Sequence, residues 1–282
     1  MTTMKNPVYP CLWFDGNARV AAEFYCSVFS NSVITSENPM VVILESAGQK
    51  FMLLNGGPQY KINPAISFFV SCETAEETTE TWDKLLEGGS VLMPIGKYDW
   101  SERYGWLRDR FGVNWQVING RIGDSAQRFT PALMFTGSQN GNAAKAINFY
   151  ASVFECSGAK NILRYTKEQN EIEGNLAHAE FFLGKYLFVA MDSSFQHEFS
   201  FNEGVSFVIE CESQLEIDYY WAGLTLGGSE GRCGWLKDRF GVSWQIVPSV
   251  LKDLMADHER SERVVRAFLK MKKFDIEELL KA

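Results

Sequence analysis

The chain has 282 residues, 46% apolar and 14% aromatic, enough to bury the core of one large domain or two ordinary ones, which excludes a disordered protein. A formal charge of -8 excludes a whole-molecule field that gathers nucleic acid or anionic lipid. There is no apolar run of the roughly 18 residues that a membrane span needs, and the start "MTTMKNPVYP" lacks the basic and apolar regions of a secretion signal, so the cytoplasm is the expected location.

In chain order, "YPCLWF" is a short apolar strand, after which "DGNARVAAEFYCSVF" switches to helical period. Ala18, Ala21, Ala22, Tyr25, Val28 and Phe29 share one face of that helix, and Asp15 or Asn17 is placed to cap it. "MVVILESAGQKFMLLNG" reads as a hairpin turning at Ala47 to Gln49. A strand at "AISFFVS", a helix over "TAEETTETWDKLLEGG" with Thr74 as its cap, and further strands ending in "NWQVI" complete the pattern. "GRIGDSAQRFTP" then reads as a linker.

Beyond the linker the pattern starts again. "AAEFYCSVF" at Ala21 is answered by "AINFYASVF" at Ala146, "KFMLLNGG" by "KYLFVAMD", and "ISFFVSCE" by "VSFVIECE". "GWLRDRFGVNWQVI" at Gly105 returns 129 residues later as "GWLKDRFGVSWQIV", identical at ten of fourteen positions. A repeat of this length means a duplicated domain, with boundaries expected near 5–122 and 129–250. Strand, helix, strands occurs twice within each copy, so each domain is itself doubled in element order. The second copy is trimmed: Gly89 to Gly105 takes sixteen residues, Gly228 to Gly234 only six. One wall of the second domain should be reshaped by that loss. Residues 251–282 form a tail with two amphipathic segments, around Leu251 to Met255 and Val264 to Leu269, broken near Asp257 to Ser261. The tail is expected to pack back on its own fold; crossing to another chain would instead make a homodimer.

Within the repeated motif, Asp109 with Gly112 and Asp238 with Gly241 form a D-x-x-G turn, the aspartate accepting backbone N–H groups and the glycine taking positive φ. Arg110 and Arg239 are expected to pair with nearby carboxylates, and Trp106 and Trp235 to serve as walls or core. The six cysteines show no C-x-x-C; Cys72 and Cys211 recur as equivalent strand ends, and Cys233 has no basic partner that would activate it. No G-x-S-x-G, P-loop or H-E-x-x-H is present.

The combination "FDGNARVAAEFYCSVF", "FMLLNGG", "ISFFVSCE" and "GWLRDRFGVNWQVI" resembles the PhnB-like domains, labelled 3-demethylubiquinone 3-methyltransferase-like, of the vicinal oxygen chelate superfamily of glyoxalases, bleomycin-resistance proteins and extradiol dioxygenases. The resemblance implies an α+β fold: tandem domains, each from paired β-α-β-β-β modules curled into an open cup. It further implies a small organic molecule as partner, and one divalent metal held by two histidines or glutamines and one or two glutamates from the inner face of the first, fourth and last strands. Transferred to this chain, those positions fall near Pro10 and Pro131, which cannot ligate, at Val41 or Val42, and at Gln116 in the first domain. In the second they fall at His178 with Glu180 and at Gln245, the set that would hold an ion if one is bound. Gln116, Gln245, His178, Trp106 and Trp235 are thus candidates to line a ligand, as are Tyr60, Lys61 and His197 in the two loops "PQYKINPA" and "SFQHEFSFNEG". His258 reads as a solvated residue of the tail. No strand leads into a G-x-G-x-G turn for an adenosyl cofactor, so methyl transfer has no support in the residues. The functional expectation is a glyoxalase-like small-molecule binder, a lyase or isomerase if it is an enzyme. A non-catalytic sequestering protein of the bleomycin-resistance type and a structural or regulatory scaffold are the alternatives.

Overall fold

The computed structural model describes residues 8–123, 125–154, 158–257 and 259–282. His258 lies outside them.

Four β-α-β-β-β modules follow one another. The first is β1 (Val8–Phe14), α1 (Ala18–Val28), β2 (Ser32–Glu37), β3 (Val41–Ser46) and β4 (Gln49–Asn55); the second is β5 (Ile66–Cys72), α2 (Ala75–Leu86), β6 (Ser90–Tyr98), β7 (Ser101–Arg108) and β8 (Asn114–Asn119). The third is β9 (Phe129–Phe135), α3 (Ala143–Val153), β10 (Ala159–Arg164), β11 (Leu176–Leu183) and β12 (Tyr186–Asp192). The fourth is β13 (Val205–Cys211), α4 (Gln214–Thr225), β14 (Ser229–Glu230), β15 (Trp235–Lys237) and β16 (Ser243–Pro248). Each module's first strand pairs parallel with its last, which requires the intervening helix as a crossover.

Modules do pair, but the partner comes from the other repeat. One sheet, order β14-β15-β16-β13-β1-β4-β3-β2, joins modules one and four through the antiparallel pair β1 and β13; the other, β10-β11-β12-β9-β5-β8-β7-β6, joins two and three through β5 and β9. We call their concave faces cup 1 and cup 2. Both therefore lie at the junction of the repeats.

What binds the two modules of one repeat together is the most repeated part of the sequence. Asp109 Oδ1 accepts from the backbone N–H of Phe111 and Val113, as the D-x-x-G spacing predicts. Its Oδ2 accepts from Trp115 Nε1 at 2.8 Å and from the hydroxyl of Tyr25, on α1 of the neighbouring module, at 2.9 Å. Asp238, Phe240, Val242, Trp244 and Tyr150 repeat every bond. Gly112 and Gly241 take φ of 93° and 90°, where a Cβ would be strained.

Local expectations hold with two changes. Thr74 accepts from Glu77 N–H at 3.1 Å, and the hairpin turns at Ala47 and Gly48. Asn17 occupies the cap position of α1 but makes no capping bond; the first N–H is taken by Asn55 Oδ1 from the end of β4. Arg110 and Arg239 have no carboxylate partner among the described residues: Arg110 lies over the Phe24 ring, and Arg239 donates to the Leu226 carbonyl at 2.8 Å.

The tail packs back, as α5 (Leu251–Ala256), α6 (Ser261–Phe268) and α7 (Ile276–Lys281), burying Leu254, Val264, Met271, Phe274 and Leu279. It packs where the β14–β15 hairpin of the fourth module is shortened to two and three residues. The N–H groups of Cys233 and Gly234 donate to Met271 and Lys272 carbonyls at 2.9 and 2.7 Å. Phe274 covers Gly234 much as Trp82 covers the equivalent Gly105. No helix is long and apolar enough to cross a membrane among the described residues.

Candidate functional site

Strand alternation decides which side chains enter a cup. On β1 the odd positions do so: Tyr9 and Cys11 cluster with Val208 on β13 and half-buried Met52, Leu54 and Val247. Pro10 is therefore one residue out of phase, and Cys11 is the first-strand residue of cup 1. It pairs across the sheet with Ser206, whose hydroxyl accepts from Gln245 Nε2 at 3.0 Å. Thiol, hydroxyl and amide make a neutral floor. Burial pushes the Cys11 thiol up to about 12, more than its hydrogen bonds with Gln245 and Ser206 draw it down, so it is a thiol and not a thiolate at neutral pH.

One turn of the pleat further along, Glu210 accepts from the Tyr9 hydroxyl at 2.8 Å and pairs with Lys50, which also lies over the Tyr9 ring. Burial and Glu210 together raise the Tyr9 hydroxyl well above its usual range. At the other end Trp13 sits edge-on to Trp235 and Tyr60, centroids 5.8 and 5.0 Å away.

Cup 2 repeats the floor with Ala132, Ser67 and Gln116, Gln116 Nε2 donating to Ser67 at 2.8 Å. Its cavity side is occupied by the protein's own side chains. Phe69, Tyr104, Ile118, Ile122, Leu187 and Val189 form a buried cluster there, with Met93, Tyr98, Trp106, Phe182 and Met191 against it. The Tyr104 hydroxyl closes on Gln116 Oε1 at 2.7 Å. Tyr104 belongs to the long β6–β7 hairpin that is shortened in the fourth module, and Ile122 to the linker.

The crossed pairing of modules separates the expected metal set. His178 and Glu180 lie on β11 in cup 2, whereas Gln245 lies on β16 in cup 1. Glu180 instead accepts from Asn161 at 2.9 Å, with His178 at 3.5 Å, and the strand order places Gln116 four strands away from them. No three of His, Cys, Asp and Glu come together in a metal-sized group among the described residues. Cup 1 offers one sulfur beside a hydroxyl and an amide, its carboxylate Glu210 being paired with Lys50, and in cup 2 His178 and Glu180 gain no third such ligand among the described residues, so the residues of neither cup fit the implied metal.

Of the other candidates, Trp106 faces cup 2 with its indole N–H unpartnered, and Trp235 faces cup 1. His197 is in neither: it meets the Ser193 hydroxyl at 2.9 Å, which also bonds Glu171, tying two loops together. Tyr60 and Lys61 line a cavity of about 440 Å³ between the β1–α1 and β7–β8 turns, which shares Trp13 with the end of cup 1. A second cavity, about 820 Å³, lies by the linker between Ser71, Arg121, Gln127 and Arg128. Cys233 donates to the Phe268 carbonyl, and burial raises its pKa. Sequence reasoning missed Cys11, Ser206, Glu210 and Lys50. Alternation along "YPCLWF" could have found the first; the others become neighbours only through pairing between repeats.

No functionally curated protein matches the chain. Among solved structures, a PhnB protein from Bacillus cereus is 34% identical over 40% of this chain and 98% of its own, with a TM-score of 0.38. Protein PA1353 from Pseudomonas aeruginosa is 26% identical over 40% of this chain and 96% of its own, TM-score 0.35. Glyoxalase I from Zea mays is 12% identical but superposes over 90% of this chain and 97% of its own with a TM-score of 0.58, which shows a shared tandem fold. With one family model matching both residues 6–118 and residues 127–247, the chain belongs to the family described as 3-demethylubiquinone-9 3-methyltransferase, in two tandem copies on a glyoxalase-type fold.

Proposed function

We propose that the protein binds a small, largely apolar organic molecule in cup 1, without a metal, and that cup 2 is its closed, structural counterpart. The observation that carries this reading is the difference between two equivalent floors. The buried cluster beside Gln116 includes Tyr104 and Ile122; the one beside Gln245 is smaller, Tyr9, Cys11 and Val208 with half-buried Met52, Leu54 and Val247 against them, and the adjoining β14 and β15 have only two and three residues. An apolar wall with a few fixed polar groups is the usual make-up of a ligand site. Met52, unbranched and flexible, can yield to a guest. The polar groups available to orient it are the Ser206 hydroxyl and the second N–H of the Gln245 amide, while the Tyr9 hydroxyl, whose hydrogen goes to Glu210, can only accept.

Neither family name supplies the chemistry. Among the described residues nothing in cup 1 offers a thiolate, an unpaired carboxylate or an imidazole, so binding is better supported than turnover. The alternative of a divalent ion in the second repeat has less support, since Gln245 and His178 sit in different sheets. The test is ligand-observed NMR with a library of small organic compounds, product formation being followed in the same samples. Hits that Met52→Trp abolishes support cup 1. Hits unaffected by that plug, or none at all, overturn it. Elemental analysis after incubation with zinc, nickel, manganese and iron should show no stoichiometric ion that His178→Ala removes.

A further inference from the structure

The 440 Å³ cavity that Tyr60 and Lys61 line is cationic in a protein of net charge -8. It lies between the turn leaving β1 and the turn joining β7 to β8, with Trp13, Tyr60 and Phe111 as aromatic lining and Lys61, Arg108 and Arg110 as charged lining. None of these three cations has a carboxylate partner among the described residues. Of the acids in the lining, Asp109 is buried and already accepts four hydrogen bonds, which leaves Asp15. Glu203, next to Tyr60, is taken by Lys237 at 2.9 Å.

The duplication supplies an internal control. Arg108 corresponds to Lys237 and Arg110 to Arg239, each 129 residues on. In the second repeat both are used by the fold: Lys237 pairs with Glu203, and Arg239 donates from Nε and from a terminal nitrogen to the Leu226 carbonyl at the end of α4. In the first repeat the same two positions carry guanidinium groups that do neither. Arg110 is held over the Phe24 ring, 4.2 Å from its centroid, which fixes its direction without consuming its donors. Planar forks of N–H groups suit carboxylate and phosphate oxygens, and a volume of several hundred Å³ admits an organic body, not merely an inorganic ion.

We propose that this cavity binds a small aromatic anion, with its carboxylate or phosphate on Arg108, Arg110 and Lys61 and its ring against Trp13 and Tyr60. It shares Trp13 with the aromatic end of cup 1, but its charged lining lies on the turns outside that cup, and it does not rest on the proposal that cup 1 binds a ligand.

The test is a titration followed by tryptophan fluorescence and calorimetry, using 1-naphthoate, 1-naphthyl phosphate and uncharged 1-naphthol on the full chain. Saturable binding of at least one anion is expected, weakening with salt and falling about tenfold or more in Arg108→Gln/Arg110→Gln. Which anion binds tighter separates carboxylate from phosphate. Lys61→Gln should weaken it less, and Arg121→Gln, which removes the same charge at the other cavity, should not. All these side chains are exposed, and circular dichroism checks that the variants fold. Met52→Trp, which plugs cup 1, should leave the anion bound. Naphthol binding as tightly as the anions, an unchanged double variant, or no saturable anion binding at millimolar concentration would overturn the proposal.

Discussion

At the scale of single residues, Asp109 and Asp238 show why a motif can be kept without catalysis. Each carboxylate receives four donors, two from its own turn, one from an indole and one from a tyrosine in the neighbouring module. Asp238→Asn would set an amide N–H against the indole N–H of Trp244, and we expect a loss of about 3 kcal/mol in urea unfolding. Burial, outweighing those bonds, raises both aspartates. A raised folded-state value means that their neutral form favours the fold below the ordinary carboxyl pKa. That contribution disappears as pH rises through the raised value, so the gap between wild type and Asp238→Asn should widen on mild acidification. Cys11 obeys the same sign: its contribution is intact below the ordinary thiol value of 9 and lost as pH climbs toward about 12. In native protein at pH 8 iodoacetamide should therefore label the part-exposed Cys26 and spare Cys11, as peptide mass mapping would show.

At the scale of elements, the tail packs against a shortened hairpin. Phe274 is 3% exposed and packs over Gly234, so Phe274→Ala should cost about 3 to 5 kcal/mol. Calorimetry of that variant should show a lower Tm, since it strips the fourth module of the cover that Trp82 and a long hairpin give the second. Element order, the trimmed hairpin and the amphipathic tail were legible in the sequence because periodicity and glycine turns are local signals. The ligand set was not, because which modules pair is decided by long-range edge contacts. His178 and Gln245, 67 residues apart in one repeat, end in different sheets, whereas Cys11 and Gln245 meet.

For the whole molecule, the crossed pairing makes the chain a covalent pseudo-dimer. Residues 1–123 alone would leave β1 and β5 with unpaired edges. Since β13 repeats β5 and β9 repeats β1, two such fragments can satisfy each other, and light scattering should find a dimer. A monomeric fragment would show that each repeat can close its own sheet. The same topology also orders synthesis. The sheet of modules two and three is contiguous in the chain, from Ile66 to Asp192, and can form as the ribosome releases it. The other sheet cannot: Val8 waits for Ile209, two hundred residues later, before its edge is covered. Contacts that distant are slow to close. The nascent protein should thus spend most of its translation with cup 2 built and β1 in need of a chaperone, and cup 1 should be the last part of the molecule to come into being.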